Sequence, residues 1–118
     1  MDNFRNLIVW KRAVDFATDV YRKTENFPRT ESYGLTSQIR RSAVSISSNI
    51  AEGAGRRSKK VFAYFLGISY GSACELETQL LIAKQLKYIE DQDFELLFNE
   101  LNEIQKMIYT LEKIQINI

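Results

Sequence analysis

The stretch from Phe94 to Leu111, FELLFNELNEIQKMIYTL, carries the clearest structural signal in the chain. Apolar side chains recur in it at alternating steps of three and four residues, which places them on one face of an α-helix. These positions are Phe94, Leu97, Leu101, Ile104, Ile108 and Leu111. The stretch therefore predicts an amphipathic helix that packs its apolar face against other helices.

Similar spacing on the N-terminal side predicts three more helices, and no stretch alternates regularly enough to predict a strand. Pro28, the glycines of EGAGRRSKK and the segment KYIEDQDF separate the helices. The expected helices span residues 7–25, 32–53, 58–87 and 92–115. Short connections between four helices are typical of an all-α, antiparallel up-down-up-down four-helix bundle, here a single domain over residues 1–118.

The ends of the second and third helices are predicted from residues with known capping roles. Thr30 or Ser32 is expected to cap the start of the second helix, and the charge of Glu31 suits the positive end of that helix. Ser58 is expected to cap the start of the third helix. Gly53 and Gly55 are expected to end the second helix, because glycine readily adopts the left-handed conformation of a C-terminal cap.

Composition argues against most classes of enzyme. The chain of 118 residues has no histidine, which excludes histidine-based catalysis and nearly all zinc or di-iron sites. Its single cysteine, Cys74, cannot form an internal disulfide, and the N-terminus does not resemble a signal peptide. No apolar run is long enough to predict a membrane span. We therefore expect a cytoplasmic protein that is not an enzyme and needs no cofactor.

Charge is distributed unevenly along the chain. Residues 1–60 carry twelve basic and six acidic side chains, whereas residues 61–118 carry four and nine. This asymmetry predicts electrostatic pairing between the two halves, within one chain or across subunits. The alternative is a basic strip that faces a partner.

The third predicted helix contains an uncharged stretch, VFAYFLGISYGSAC, at residues 61–74. We assign its core-facing positions to Val61, Phe65, Ile68, Ser72, Leu76 and Ala83. The small residues on the opposite face, with the apolar residues beside them, then predict an interface between copies of the chain. That interface comprises Phe62, Ala63, Leu66, Gly67, Tyr70, Gly71 and Cys74. Alternatively, helices of the same subunit cover both faces.

Polar residues on the second and third helices predict a structural network. Antiparallel packing brings Arg40 or Arg41 to the level of Glu75, where an arginine–carboxylate pair fixes the register of the helices. The other members of this network are Asn49, Glu52 and Glu77. A ligand site built from the same side chains is the alternative interpretation.

The densest basic cluster is Arg56, Arg57, Lys59 and Lys60, at the expected start of the third helix. Basic side chains are unfavourable at the positive end of a helix dipole, so capping does not account for them. They are candidates for contact with nucleic acid, and Arg40 and Arg41 are candidates for extending that surface. The alternative is a solvated helix end.

Three segments resemble one known family. They are VWKRAVDFATDVYRKTENFP (9–28), YGLTSQIRRSAVSISSNIAEGAGR (33–56) and FLGISYGSACELETQL (65–80), followed by the LKYI turn. Together they resemble the four-helix-bundle proteins encoded in intervening sequences of 23S rRNA, most specifically in QIRRSAVSISSNIAEG and GSACELETQL. The resemblance implies a ring-like homopentamer with no known enzymatic activity.

That family is also similar to the accessory variability determinant proteins of diversity-generating retroelements, which bind a reverse transcriptase and nucleic acid. The resemblance and the basic cluster together favour a self-assembling adaptor that contacts RNA. The alternative is a protein–protein scaffold without affinity for nucleic acid.

Overall fold

The computed structural model describes residues 3–116, which form four α-helices and no β-strand. The helices are α1 (Ile8–Lys23), α2 (Leu35–Gly55), α3 (Lys59–Gln85) and α4 (Asp91–Ile116). Single turns of 3-10 helix at Phe4–Asn6 and Arg29–Glu31 precede α1 and α2. The predicted all-α class is confirmed. None of these helices is long and apolar enough to cross a membrane.

The four helices surround one elongated core, and the described residues measure 46 × 23 × 20 Å. Helix α1 packs against α2 and α4, and α3 completes the circuit by packing against the same two helices. The largest fully buried apolar side chains come from all four helices: Phe16, Ile39, Ile46, Ile50, Leu66, Leu76, Leu80, Leu101, Ile104 and Ile108.

Helix α4 buries the face that its sequence predicts. Phe94, Leu97, Leu101, Ile104 and Ile108 are all buried in the core. Leu111, the last residue of the predicted face, is only partly buried. Polar residues occupy most other positions of α4, so the spacing of its apolar residues identifies the packed face without ambiguity.

The prediction for the first half of α3 is wrong by one position. The buried face runs through Phe62, Leu66, Ser69 and Ala73, whereas the predicted face ran through Val61, Phe65, Ile68 and Ser72. Ile68 is 38% exposed, while the Ser69 hydroxyl is buried and donates to the carbonyl oxygen of Ile46 at 2.8 Å. This part of α3 is apolar on most sides, so spacing alone does not distinguish its inner face from its outer face.

The start of α2 also differs from the sequence prediction. The carboxylate of Glu31, rather than Thr30 or Ser32, caps this helix: Glu31 Oε1 accepts a hydrogen bond from the Leu35 amide at 3.0 Å. The helix therefore begins after the 3-10 turn, later than predicted. The predicted cap of α3 is confirmed, because Ser58 Oγ accepts from the Val61 amide at 3.3 Å.

Neither glycine near the end of α2 acts as the predicted left-handed cap. Both lie inside the helix, and no glycine of the described chain has a positive φ. Gly53 instead allows close packing of α2 on α3, because a Cβ atom there would lie 2.5 Å from Phe65 Cβ. Arg57 adopts the left-handed conformation, with φ of 59°.

The charge asymmetry is matched by ion pairs within one chain. Arg12 of α1 makes two hydrogen bonds with Glu100 of α4, at 2.6 and 3.0 Å. The hydrogen bonds to Glu100 raise the pKa of Arg12 above its ordinary value. Lys23 and Asp93 form a second pair between these helices at 3.1 Å. The expected attraction between the two halves therefore contributes to holding α1 against α4.

Candidate functional site

The basic cluster projects from the turn between α2 and α3, and we call Arg56, Arg57, Lys59 and Lys60 the basic turn. All four side chains are exposed. Arg56 pairs with Glu52 at 2.8 Å, and its guanidinium lies 5.3 Å from the centre of the Phe65 ring. In residues 3–116, no carboxylate lies within 4.0 Å of the other three cations. The turn therefore presents a concentrated positive charge to solvent.

Arg40 and Arg41 do not extend the basic turn. They lie in the second turn of α2, about 22 Å from Arg56 at 1.5 Å per residue. Arg40 is also committed to packing α2 on α1, since Nε donates to Thr24 Oγ1 at 3.0 Å and Nη2 donates to the Tyr21 carbonyl at 3.2 Å. The predicted six-residue basic surface is therefore two separate features.

The predicted buried pair between α2 and α3 is not formed. Arg41 and Glu75 line the same pocket of about 450 Å³, but both are exposed and they are not within ion-pairing distance. A direct polar contact between these helices lies one turn away, where the hydroxyls of Ser45 and Ser72 are 2.8 Å apart. Asn49 Nδ2 joins that contact by donating to Ser45 Oγ at 2.9 Å.

The remaining members of the predicted network have other partners. Glu52 pairs with Arg56, the residue of the basic turn that directly follows α2. Glu77 accepts a hydrogen bond from Gln105 Nε2 at 3.1 Å and so connects α3 to α4. Arg41, Asn49, Glu52, Glu75 and Glu77 therefore do not form one network.

The predicted oligomer interface requires a correction. Phe62, Ala63 and Leu66 are buried within the chain's own fold and cannot contact another copy. Gly67 and Tyr70 are half-buried, and only Gly71 and Cys74 of the predicted set are exposed. The one-position error in the α3 core face caused this misplacement. It also concealed the exposed apolar side chains of α3, which include Tyr64, Ile68, Leu81 and Ile82.

An apolar groove that the sequence did not predict lies between the start of α1 and the end of α4. Its volume is about 520 Å³, and Ile8, Met107, Leu111 and Ile114 contribute to its walls. Apolar residues at the outer ends of both helices were a signal for it. The spacing of apolar residues in α4 predicted that Leu111 faces the core, so these residues did not indicate a groove at the surface.

The described residues contain no candidate metal-binding site. Over positions 3–116, no three histidine, cysteine or carboxylate side chains are grouped so that they could hold a metal ion. Cys74 lies exposed on α3 and is not in a disulfide.

The fold and its exposed features define a small all-α protein with four helices and a basic turn between the second and third. A family model described as "23S rRNA-intervening sequence protein" matches residues 5–110, which include nearly all of this fold. The chain belongs to that family. No curated protein matches it.

A solved structure supports the same assignment. It is a crystal structure of a protein of unknown function from the S23 ribosomal protein family of Bacteroides thetaiotaomicron VPI-5482. The two chains are 26% identical and superpose with a TM-score of 0.83, covering 90% of this chain and 99% of that one.

Proposed function

We propose that this protein is a non-enzymatic, cytoplasmic, self-assembling adaptor that binds RNA through the basic turn. The observation that carries the proposal is the group of exposed cations in which Arg57, Lys59 and Lys60 have no carboxylate partner in the described chain. Phosphate groups would supply the missing negative charge, and free amide groups at the start of α3 favour anions at the same place. The lack of histidine in the sequence supports the non-enzymatic part of the proposal.

The proposal includes an antiparallel bundle that assembles into a ring, with five copies by family resemblance. Contacts between helices support the antiparallel arrangement, because residue numbers increase along one helix while those of the residues it contacts on its neighbour decrease. Ser45 is near Ser72 while Gly53 is near Phe65, and Arg12 meets Glu100 while Lys23 meets Asp93.

Exposed apolar residues on α3 support self-assembly. Tyr64 and Ile68 are exposed, and a Cβ atom at Gly71 would contact nothing within 4 Å. Apolar side chains beside an open glycine offer a surface that a neighbouring copy could cover at short range. This outer face of α3 replaces the partly buried interface predicted from the sequence.

A salt series tests the RNA-binding part of the proposal. We expect the affinity for single-stranded RNA to fall with rising salt, because each phosphate contact releases counterions. Replacing Arg56, Arg57, Lys59 and Lys60 with glutamine should weaken binding and reduce the log–log slope by roughly 0.7 per lost phosphate contact. The matched control replaces Lys11, Lys87, Lys106 and Lys113 with glutamine, the same change in net charge at exposed positions elsewhere. Equal effects of the two variants would contradict a specific role for the basic turn.

The alternative function is a protein–protein scaffold without affinity for RNA. The apolar groove between α1 and α4 favours it, since Ile8 and Ile114 are both exposed there. Absence of RNA binding at low salt, where phosphate contacts are strongest, would support this alternative. A relation to the accessory proteins of diversity-generating retroelements, which the sequence resemblance implies, would favour the RNA-binding function, because those proteins bind nucleic acid as well as a reverse transcriptase.

A further inference from the structure

A polar pocket lies at the N-terminal end of α2, opposite the end that carries the basic turn. Its volume is about 360 Å³. The side chains that matter for its chemistry are Ser32, Tyr33, Thr36, Ser37, Arg40 and Arg41. We call this feature the α2 pocket. No carboxylate is among its lining residues.

Backbone amides of the first turn of α2 are available beside the α2 pocket. The Leu35 amide donates to Glu31, and the Gln38 amide donates to the Gly34 carbonyl. The amides of Thr36 and Ser37 have no hydrogen-bond acceptor among the described residues. Unpaired amides at the positive end of a 21-residue helix favour a bound anion.

The side chain of Thr36 supplies an independent sign of a missing ligand. Thr36 is only 7% exposed, and its hydroxyl has no hydrogen-bond partner. Burying a hydroxyl without a partner costs free energy, so such groups are uncommon in folded proteins. A ligand oxygen that enters the α2 pocket, with a small adjustment of the threonine side chain, would provide the acceptor.

Two arginines give the α2 pocket its positive charge. Arg41 is exposed and forms no ion pair in residues 3–116, and Arg40 still has Nη1 available beside its contacts with α1. Glu31 caps the same helix, but its two oxygens already accept hydrogen bonds from Leu35 and Tyr88. The arrangement therefore favours a phosphate group over a neutral ligand.

The position of the Tyr33 ring indicates that the phosphate belongs to a nucleotide. Its side chain is fully exposed and lies at the junction of the α2 pocket with the neighbouring pocket that contains Glu75 and Gln79. An exposed aromatic ring beside a phosphate site is a platform on which a nucleobase can stack. Glu75 could then accept hydrogen bonds from sugar hydroxyls or a base amino group.

We propose that the first turn of α2 binds a nucleotide, with its phosphate in the α2 pocket and its base stacked on Tyr33. Two sources share this chemistry, a free mononucleotide and a nucleotide unit of single-stranded RNA. The first turn of α2 is about 30 Å from the basic turn at 1.5 Å per residue, so the site does not depend on the RNA-binding role proposed for that turn.

Calorimetric titration of the full-length protein with AMP, inorganic phosphate and adenosine tests this proposal. Arg41→Gln should weaken AMP and phosphate binding about tenfold or more, because it removes charge-assisted hydrogen bonds. Tyr33→Ala should weaken AMP binding about tenfold but leave phosphate binding unchanged, because it removes only stacking. Lys11→Gln, the same loss of charge at an exposed position on α1, should change neither.

The source of the nucleotide is resolved by adding a short oligoadenylate. If RNA is the source, the oligonucleotide binds more tightly than AMP, and the basic-turn glutamine variant weakens the oligonucleotide but not AMP. If a free nucleotide is the source, AMP binds at least as tightly as the oligonucleotide. AMP binding without RNA binding would contradict the proposed function and leave this site intact. No AMP binding at low salt, or AMP binding unchanged in both Arg41→Gln and Tyr33→Ala, would overturn the site.

Discussion

The Tyr88 hydroxyl donates a hydrogen bond of 3.1 Å to Glu31 Oε2, joining the turn before α4 to the segment that precedes α2. The other oxygen of the same carboxylate accepts from the Leu35 amide and caps α2. The Tyr88 ring also packs against Phe27, with ring centres 5.7 Å apart. Glu31 therefore couples the start of one helix to a connection 57 residues further along the chain.

Tyr88→Phe should destabilise the fold at neutral pH by removing this hydrogen bond. The contact with Glu31 raises the pKa of Tyr88 above its ordinary value of 10.0 in the folded protein. The stabilisation is therefore fully present below pH 10.0 and is lost as the pH rises through the higher folded-state value. Urea unfolding at several pH values should show a difference between wild type and Tyr88→Phe that shrinks at strongly alkaline pH.

The control for this prediction is Tyr33→Phe, which removes a hydroxyl from a fully exposed tyrosine. Its unfolding free energy should equal that of the wild type throughout. A Tyr88→Phe difference that stayed constant, or grew, with rising pH would show that the hydrogen bond to Glu31 is not its cause.

Gly53→Ala should lower the free energy of unfolding by about 1 to 2 kcal/mol. The added methyl group would lie 2.5 Å from Phe65 Cβ, an atom close to the backbone, so α2 and α3 would have to move apart. The better helix propensity of alanine offsets only part of this cost. Thermal and urea unfolding followed by circular dichroism measure the change.

Gly55→Ala is the matched control, because it makes the same substitution two positions further along α2. A Cβ atom at Gly55 would meet nothing within 4 Å, so this variant should be as stable as the wild type or slightly more stable. Similar losses of stability in both variants would refute close helix packing as the reason for glycine at position 53.

Arg57→Gly should raise the free energy of unfolding by about 1 kcal/mol. Arg57 has a φ of 59°, a conformation that is unfavourable for side chains with a Cβ atom and available to glycine. Arg57→Ala removes the same charge but keeps the strained conformation, so it should show no gain. If Arg57 contacts phosphate, both variants should lose RNA affinity equally, with a slope change of roughly 0.7.

A larger increase in unfolding free energy for Arg57→Ala than for Arg57→Gly would show that backbone strain at Arg57 does not limit stability. Unequal RNA affinities for the two variants would show that backbone conformation, rather than charge, controls binding at this position.

The accuracy with which the sequence predicts the core face of a helix depends on the contrast between the apolar and polar positions of that helix. In α4 that contrast is strong, and Leu101 and Ile104 occupy the core as predicted. In α3 it is weak, so Ile68 was predicted to be a core residue, although its neighbour Ser69 is the buried one. A buried serine that bonds to the Ile46 carbonyl follows from the approach of two helices, which no pattern within α3 contains.

The candidate sites show the same difference between local and long-range information. The basic turn is continuous in the sequence, and its four exposed cations could be predicted from it. The pairing of Arg41 with Glu75 needed a correct register between α2 and α3, and in the structure these side chains line one pocket without forming an ion pair. The charge of Glu31 was expected to suit the start of α2, but its hydrogen-bonded cap was not predicted, because Glu31 ends a 3-10 turn four residues before Leu35.

Thr36→Val should raise the free energy of unfolding by about 1 kcal/mol, since it replaces an unpaired buried hydroxyl with a methyl group. The same change should weaken phosphate binding at the α2 pocket. Thr30→Val, at an exposed position before α2, should alter neither property. Unfolding with and without phosphate measures both effects, and a variant less stable than the wild type would show that the hydroxyl has a partner.

Ile68→Asp should dissociate the proposed ring while preserving the folded subunit. Ile68 is exposed on α3 beside Gly71, so a carboxylate there costs the isolated chain little but would be buried in an interface between copies. A ring requires two different surfaces, one on each side of the subunit, and the groove lined by Ile8 and Ile114 is the candidate for receiving α3.

Ile114→Asp should consequently lower the assembly mass in the same way, although Ile114 lies on a different helix. Thr18→Asp, which adds the same charge at an exposed position on α1, should leave the mass unchanged. Light scattering measures the mass, and circular dichroism confirms that each variant is folded. A wild-type protein that is monomeric at micromolar concentration would refute self-assembly. An Ile68→Asp variant that keeps the wild-type mass would instead refute α3 as the interface, while loss of assembly in Ile68→Asp alone would assign the receiving surface to a place other than the groove.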